Sequence, residues 1–451
     1  MAYQEVKTTG YGTRVGNSFK GILSGFILFC LATALLWWNE GRSVKTDKML
    51  NEAEKACVEM ENPNKKDASL EGELVCATAL ATTEDSLTDN QFGIGAKAIA
   101  LKRRVEYYQW VEHAQEKRED KLGGKEVVTT TYTYSKEWTS HPVESAEFKD
   151  PAYQQKNMVL TTVEPEEVWA ANVTFGAYRL NDGLINCISS NNPYDLSINE
   201  DLLKELDKNA KVAYERFYGP VETTKESAKE PTQPVAVTDS AKAVNDSIQA
   251  INDSIQAATD SLLANAENKV ALEYIHQAGN MLYYGRVPSS PEVGDVRVTW
   301  EIIVPAKVTI ISQVDGDTFK PFKAKNGKRF QTLVMGKKDT AEIFEAEHDA
   351  NNILTWILRI VGILLIIAGL RGILAIFETI LKVVPFIANI FGFGVGIVCF
   401  VIGLVWSLII IALAWLFYRP LIGIALLAIA GFLIWVFAFK GKEKLKQLTN
   451  K

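Results

Sequence analysis

The 451-residue chain carries 48 basic and 54 acidic side chains, a formal net charge of −6, and is 47% hydrophobic. The charge is not spread evenly: positions 353–439 hold only Arg359, Arg371, Glu378, Lys382 and Arg419. That partition excludes a single soluble domain and a disordered chain, and it describes a membrane protein with one large polar domain.

In chain order, a cytoplasmic N-terminus is expected over 1–18, followed by a first transmembrane helix over 19–38. This stretch is apolar apart from Lys20, is long enough to cross a hydrocarbon core of about 30 Å, and ends in the interface-seeking pair Trp37-Trp38. Ala32-Thr33-Ala34 has the form of a signal-peptide cleavage triplet. Cleavage there would strand Leu35, Leu36, Trp37 and Trp38 at an exposed N-terminus, so an uncleaved anchor is the expected reading.

Residues 39–352 form the polar domain, with 36 basic and 51 acidic side chains. Its negative balance argues against nucleic-acid binding, which needs a basic face. Runs rich in β-branched and aromatic residues predict strands over 74–82, 98–111, 127–134, 297–304 and 307–314. Asp315-Gly316-Asp317 and Asn326-Gly327 predict hairpin turns. Helical patterns cover 46–60, 199–217 and 339–351. The fold class is therefore a multi-pass α-helical membrane protein of four transmembrane helices. A large α+β, strand-rich exoplasmic domain lies between the first and second.

Residues 219–265 read as an insertion, a Pro-containing linker followed by four seven-residue repeats. Ala241, Ile248, Ile255 and Leu262 form one apolar line, and Val244, Ile251 and Ala258 form its partner. The spacing fits a coiled-coil seam or one amphipathic helix packed on its own domain.

The second, third and fourth transmembrane helices are expected at 353–370, 395–417 and 421–439, and a basic cytoplasmic tail at 440–451. Arg371, Glu378 and Lys382 share one helical face over 371–383. They predict an interfacial cytoplasmic helix there, the alternative being a prolongation of the second span. Lysines and arginines concentrate in the N-terminal segment, the second-to-third connection and the tail, against Arg419 alone in the opposite turn. Both termini are therefore expected in the cytoplasm.

No catalytic constellation, cofactor loop or metal-ligand spacing emerges. His113, His141, His276 and His348 are isolated, with no HExxH; no GxSxG occurs. His348 lies among Glu342, Glu345, Glu347 and Asp349, a pattern that fits a cation site or, more simply, a solvated helix face. Gly392 and Gly396 have the four-residue spacing of close helix packing. Arg359 is the one deep intramembrane charge; it either snorkels outward or meets a partner inside the bundle. Cys57, Cys76 and Cys187 allow one disulfide and a free thiol, or three thiols. Asn172, Asn245 and Asn252 open glycosylation sequons, meaningful only in a eukaryotic lumen.

The run Trp37-Trp38-Asn39-Glu40-Gly41-Arg42-Ser43-Val44-Lys45-Thr46, preceded by Ser18-Phe19-Lys20-Gly21, resembles the transmembrane protein 43 (LUMA) family. Phe92-Gly93, the stretch from Leu101 to Glu112, Tyr134-Ser135-Lys136-Glu137-Trp138 and the stretch from Pro288 to Val298 carry the resemblance onward. It spans almost the whole chain, and a bacterial member is expected. The resemblance implies four spans, one large lumenal-side domain and a role in organising membrane protein complexes. It also implies the endoplasmic reticulum or inner nuclear membrane if the source is eukaryotic, and the cell (inner) membrane if bacterial. The 219–265 insertion has no counterpart in the animal pattern. Among the shared residues, Asn39, Glu40, Gly41 and Arg42 stand where the chain leaves the bilayer, and they are expected to form a turn that docks the domain on the membrane.

The expected function is a non-enzymatic integral-membrane scaffold working through its exoplasmic domain. Its expected partners are membrane lipids and membrane proteins or a second copy of itself. The alternative is an enzyme or chaperone-like factor acting on lipids or membrane proteins. A transporter comes third, because three of the four spans lack polar groups at mid-membrane.

Overall fold

The computed structural model describes residues 3–220 and 272–420, together with 424 and 428. The fourth span, the basic tail and the heptad repeats lie outside the described residues. Among the described residues, three helices are long and apolar enough to cross a membrane. We label them α1 (Tyr11–Ala56), α3 (Thr340–Leu381) and α4 (Pro385–Tyr418), with α2 (Glu200–Tyr218) in the polar domain.

The strands that organise the domain are β1 (Tyr3–Thr9), β2 (Leu74–Thr83), β3 (Ala100–Asp120), β4 (Glu126–Thr139), β5 (Val296–Ile303) and β6 (Ala306–Asp315). The first sheet runs β1, β4, β3, β5, then Met281–Tyr284 and Ile275–Ala278. The second is centred on β2 and β6, which pair antiparallel, with Ile310 opposite Ala77 and Ile311 opposite Cys76. The alternation expected over 74–82 and 307–314 is real and divides two cores. Val75, Ala77 and Ile310 face a core shared with Val296, Val298 and Trp300 of the first sheet. Leu74, Cys76 and Ile311 face the other way, onto Met49, Leu50 and Ala53 of α1 and Ile343 and Phe344 of α3. The second sheet is therefore covered on both sides, once by a sheet and once by the membrane-derived helices.

The two predicted turns are present. Gly316, with φ +65°, closes Asp315 onto Thr318, and Gly327, with φ +81°, lies between Phe322–Lys323 and Arg329–Phe330. All five cysteines are free thiols, which leaves the disulfide alternative unrealised.

Two expectations need correction. Asn39, Glu40, Gly41 and Arg42 do not form a turn, because α1 runs unbroken from Tyr11 to Ala56. The polar side chains that suggested a break are satisfied by neighbouring helices, so the backbone has no reason to leave helix. Nor is 371–383 a separate interfacial helix, since α3 continues to Leu381 and prolongs the second span. The chain turns only at Lys382–Val384, where Pro385 begins α4 ten residues ahead of the expected third span.

One further contact bears on the expected topology, at the far end of the β3–β4 hairpin. Its tip meets the ends of α1 and α3 that point away from the domain: Arg14 Nη2 lies 2.7 Å from Asp120 Oδ1, and Lys382 Nζ lies 3.4 Å from Asp120 Oδ2. Gly123 N also donates to Val383 O at 3.1 Å. Arg14 and Lys382, expected on one face of the membrane, thus meet Asp120 and Gly123, expected on the other.

Candidate functional site

Where α1 and α3 leave their apolar stretches, three helices bring a set of polar side chains together. Two antiparallel helices place Glu40, just past the first apolar run, level with Arg359, six residues inside the second. Arg359 donates to Glu40 through Nε to Oε1 at 2.6 Å and Nη2 to Oε2 at 2.8 Å, the bidentate geometry that suits a guanidinium and a carboxylate. Trp415 Nε1 of α4 donates to the same carboxylate. The Arg359 guanidinium lies 4.8 Å from the Trp356 ring centre and 5.3 Å from that of Trp415. Glu40 is 1% exposed. Both charges are held as a pair and shielded by aromatic rings, so of the two readings of Arg359 the bundle partner is the one realised.

A second layer lies one turn nearer the domain. Arg42 donates to Asn351 Oδ1 at 3.1 Å and to Thr355 Oγ1 at 2.9 Å, and Asn39 Nδ2 donates to the Thr355 carbonyl at 3.0 Å. Asn351 returns the bond through Nδ2 to Ser43 O at 3.1 Å. Farther out, Asp47 accepts from Arg419 and sits 3.0 Å from His348 Nδ1. Asn39, Glu40, Arg42 and Asp47 of α1 thus all find partners on α3 or α4, as buried polar groups must. Gly41 has a different use from the one expected. An added Cβ there would come within 2.7 Å of the Tyr418 ring, so glycine admits the tyrosine that ends α4.

Of the expected site residues, Asn39, Glu40, Arg42 and Arg359 gather in this clamp, and Gly41 borders it. Gly392 and Gly396 lie elsewhere. Gly392 packs beneath the Glu378 carboxyl, and Gly396 has nothing within 4 Å. The glycines that bring helix backbones together are Gly25, Gly369 and Gly372: a Cβ on Gly25 would come 2.7 Å from Gly369 O and 2.8 Å from Ile373 N. Asp47, Asn351, Thr355, Trp415 and Arg419 were missed from sequence. Opposite charges at matching depth in two antiparallel apolar helices are the signal that exposes Glu40 with Arg359; the uncharged members carry none.

Chemically, the clamp holds helices in register. Its donors and acceptors are spent on one another. Among the described residues no group of three or more His, Cys, Asp or Glu side chains is placed to hold a metal ion. His348, the one candidate, is engaged with Asp47, while Glu342 pairs with Lys338 and Glu347 accepts from Thr332. In the polar domain, burial pushes the Cys57 thiol up to about 12, and the nearby Cys76 and Glu59 add to the effect. Such a thiol is a poor nucleophile at neutral pH. Asp295 is raised to about 6 by burial, although the Tyr283 hydroxyl and the Glu292 N–H both donate to it.

The chain is similar to transmembrane protein 43 from rat (Rattus norvegicus), with 27% identity over 91% of this chain and 88% of the relative. The human protein of that name (Homo sapiens) is 26% identical over 94% of this chain and 92% of its own length. A transmembrane protein 43 homolog from Drosophila melanogaster is 34% identical over 28% of this chain and 34% of its own. No solved structure matches the chain. The family model described as transmembrane protein 43 matches residues 107–420, which takes in α3, α4 and most of the polar domain. That match covers well over half of the sequence, and the chain belongs to the transmembrane protein 43 family.

Proposed function

We propose that this integral membrane protein is a non-enzymatic scaffold, organising membrane proteins or lipid through its polar domain, with that domain exoplasmic and both termini cytoplasmic. The observation that carries the reading is mechanical. α1 and α3 each run without a break from the apolar zone into the core beneath the second sheet, and the Glu40–Arg359 clamp locks them together at the boundary. A hinged domain suits a carrier or a lid, whereas a domain fused to its membrane helices holds bound partners in a fixed position relative to those helices.

The test is copurification of the full chain from native membranes in mild detergent, followed by quantification of bound proteins. Stoichiometric membrane-protein partners, or a defined oligomer of the chain itself, are the expected result. A preparation free of both that converts an added lipid or protein substrate with turnover would overturn the proposal in favour of an enzyme.

A further inference from the structure

The end of α3 away from the domain carries a feature the clamp does not explain. Ile367, Arg371, Glu378, Gly392, Phe393, Gly396, Ile397 and Phe400 line a cleft of about 500 Å³ between α3 and α4. Most of its wall is apolar, and Phe393 is 74% exposed beside it, as expected of a surface that faces lipid. Two charges interrupt that wall. Arg371 has no ion-pair partner among the described residues, and Glu378 has Lys382 only at 3.9 Å. Glu378 is held in place by Gly392, whose missing side chain leaves room for the carboxyl against α4.

The depth of the cleft follows from the helix packing. Gly25 packs between Gly369 and Ile373, so Arg371 is level with Gly25, five residues inside Lys20, the charge that marks the edge of the first apolar run. A guanidinium in an apolar wall about 7.5 Å inside that edge extends toward the headgroup layer and needs an anion there. The anion that a bilayer supplies there is a lipid phosphate, which guanidinium binds through paired hydrogen bonds. The carboxylate seven residues on, about 10.5 Å along the helix axis, selects further. An anionic headgroup would face Glu378 as a like charge. A quaternary ammonium offers it no N–H, and a primary ammonium offers three.

We propose that the α3–α4 cleft binds a phospholipid with a phosphoethanolamine headgroup, its phosphate on Arg371 and its ammonium on Glu378. The headgroup then lies along the Gly392–Gly396 face, and the acyl chains run deeper, past Phe400 and Ile367. The site stands independently of the scaffold reading.

The test is native mass spectrometry of the full chain released from nanodiscs. The discs contain equal parts of phosphatidylethanolamine, phosphatidylcholine and phosphatidylglycerol. The expected result is a bound-lipid population enriched in phosphatidylethanolamine by about tenfold over phosphatidylcholine, the discrimination of roughly one charge-assisted hydrogen bond. Arg371→Gln should abolish the enrichment and the bound lipid together. Glu378→Gln should keep a bound lipid but bring the ethanolamine-to-choline ratio to near one. Gly396→Leu fills the cleft without touching either charge, so it provides the same loss should Arg371→Gln fail to fold. Bound lipid that follows the disc composition, is dominated by phosphatidylglycerol, or survives Gly396→Leu unchanged would overturn the proposal.

Discussion

Asp295 is buried at 1% exposure, and one of its carboxylate oxygens lacks a hydrogen-bond partner. Burial raises its pKa from 3.8 to about 6, so the folded state binds the proton more tightly than the unfolded chain does. Its contribution to stability is therefore fully present below pH 4 and is lost as the pH rises through about 6. The loss is on the order of 2–3 kcal/mol, since each tenfold difference in proton affinity between the two states is worth about 1.4 kcal/mol. Denaturant midpoints measured in micelles at pH 4.5 and pH 7 should show this fall in the wild type and a smaller one in Asp295→Asn. Equal slopes in the two proteins would show that Asp295 does not titrate in this range. The Glu40–Arg359 pair makes a different prediction at the same scale. Glu40→Ala strands a guanidinium between apolar helices and should cost about 3–5 kcal/mol, whereas Glu40→Met with Arg359→Met should cost far less. A double variant as unstable as the single one would mean that the pair is worth its full strength and is not merely a matched desolvation.

Among the elements, the α1–α3 contact rests on close approach of backbones. Gly25→Ala places a methyl group within 3.0 Å of three α3 backbone atoms and should destabilise the helix pair by about 1–3 kcal/mol. Gly21→Ala meets only Gly372 O at 3.9 Å and should be neutral in the same denaturation assay. The β3–β4 hairpin leads to a further prediction. Beyond Tyr107, β3 runs another 13 residues, about 43 Å, from the domain to the Arg14 end of α1. Together with β1 it forms a polar ribbon bearing Glu112, Glu116, Lys117, Arg118 and Glu119. Lipid cannot surround α1 and α3 while such strands lie alongside, because charged groups and open strand edges are excluded from hydrocarbon. In a bilayer the tip must therefore leave Arg14 and Lys382. Carbodiimide treatment of intact membranes should yield no Lys382–Asp120 isopeptide, although the two groups are 3.4 Å apart when seated. Finding that cross-link would mean that the ribbon crosses the membrane inside a protein sheath.

The same elements show what sequence reasoning can reach. β2, β3, β4, β5 and β6 were legible because strand alternation survives in one dimension, and the Gly316 and Gly327 turns because glycine is needed there. The continuity of α1 was not legible: Asn39, Glu40 and Arg42 look like the polar residues of a helix end until α3 and α4 supply their partners. Arg371 and Glu378 were visible as a shared face, but the helix opposite them was not. Propensity describes a segment alone, and these side chains answer to their neighbours.

For the whole molecule, the proposed orientation predicts that in sealed vesicles the polar domain is protected where a tag on the lysine tail is digested. Cleavage of both from one face would move the domain to the cytoplasm and put cytosolic partners first. The unbroken course of α1 has one more consequence. Its 46 residues make a rod of about 69 Å, of which less than half lies within the apolar run. Helices whose apolar length exceeds the bilayer tilt to fit it. With no hinge at Arg42 to absorb the change, a tilt of about 10° would swing the end buried under the second sheet by several ångströms. The polar domain is then a pointer geared to bilayer thickness, presenting its surface differently in thin and thick membranes without any rearrangement of its own.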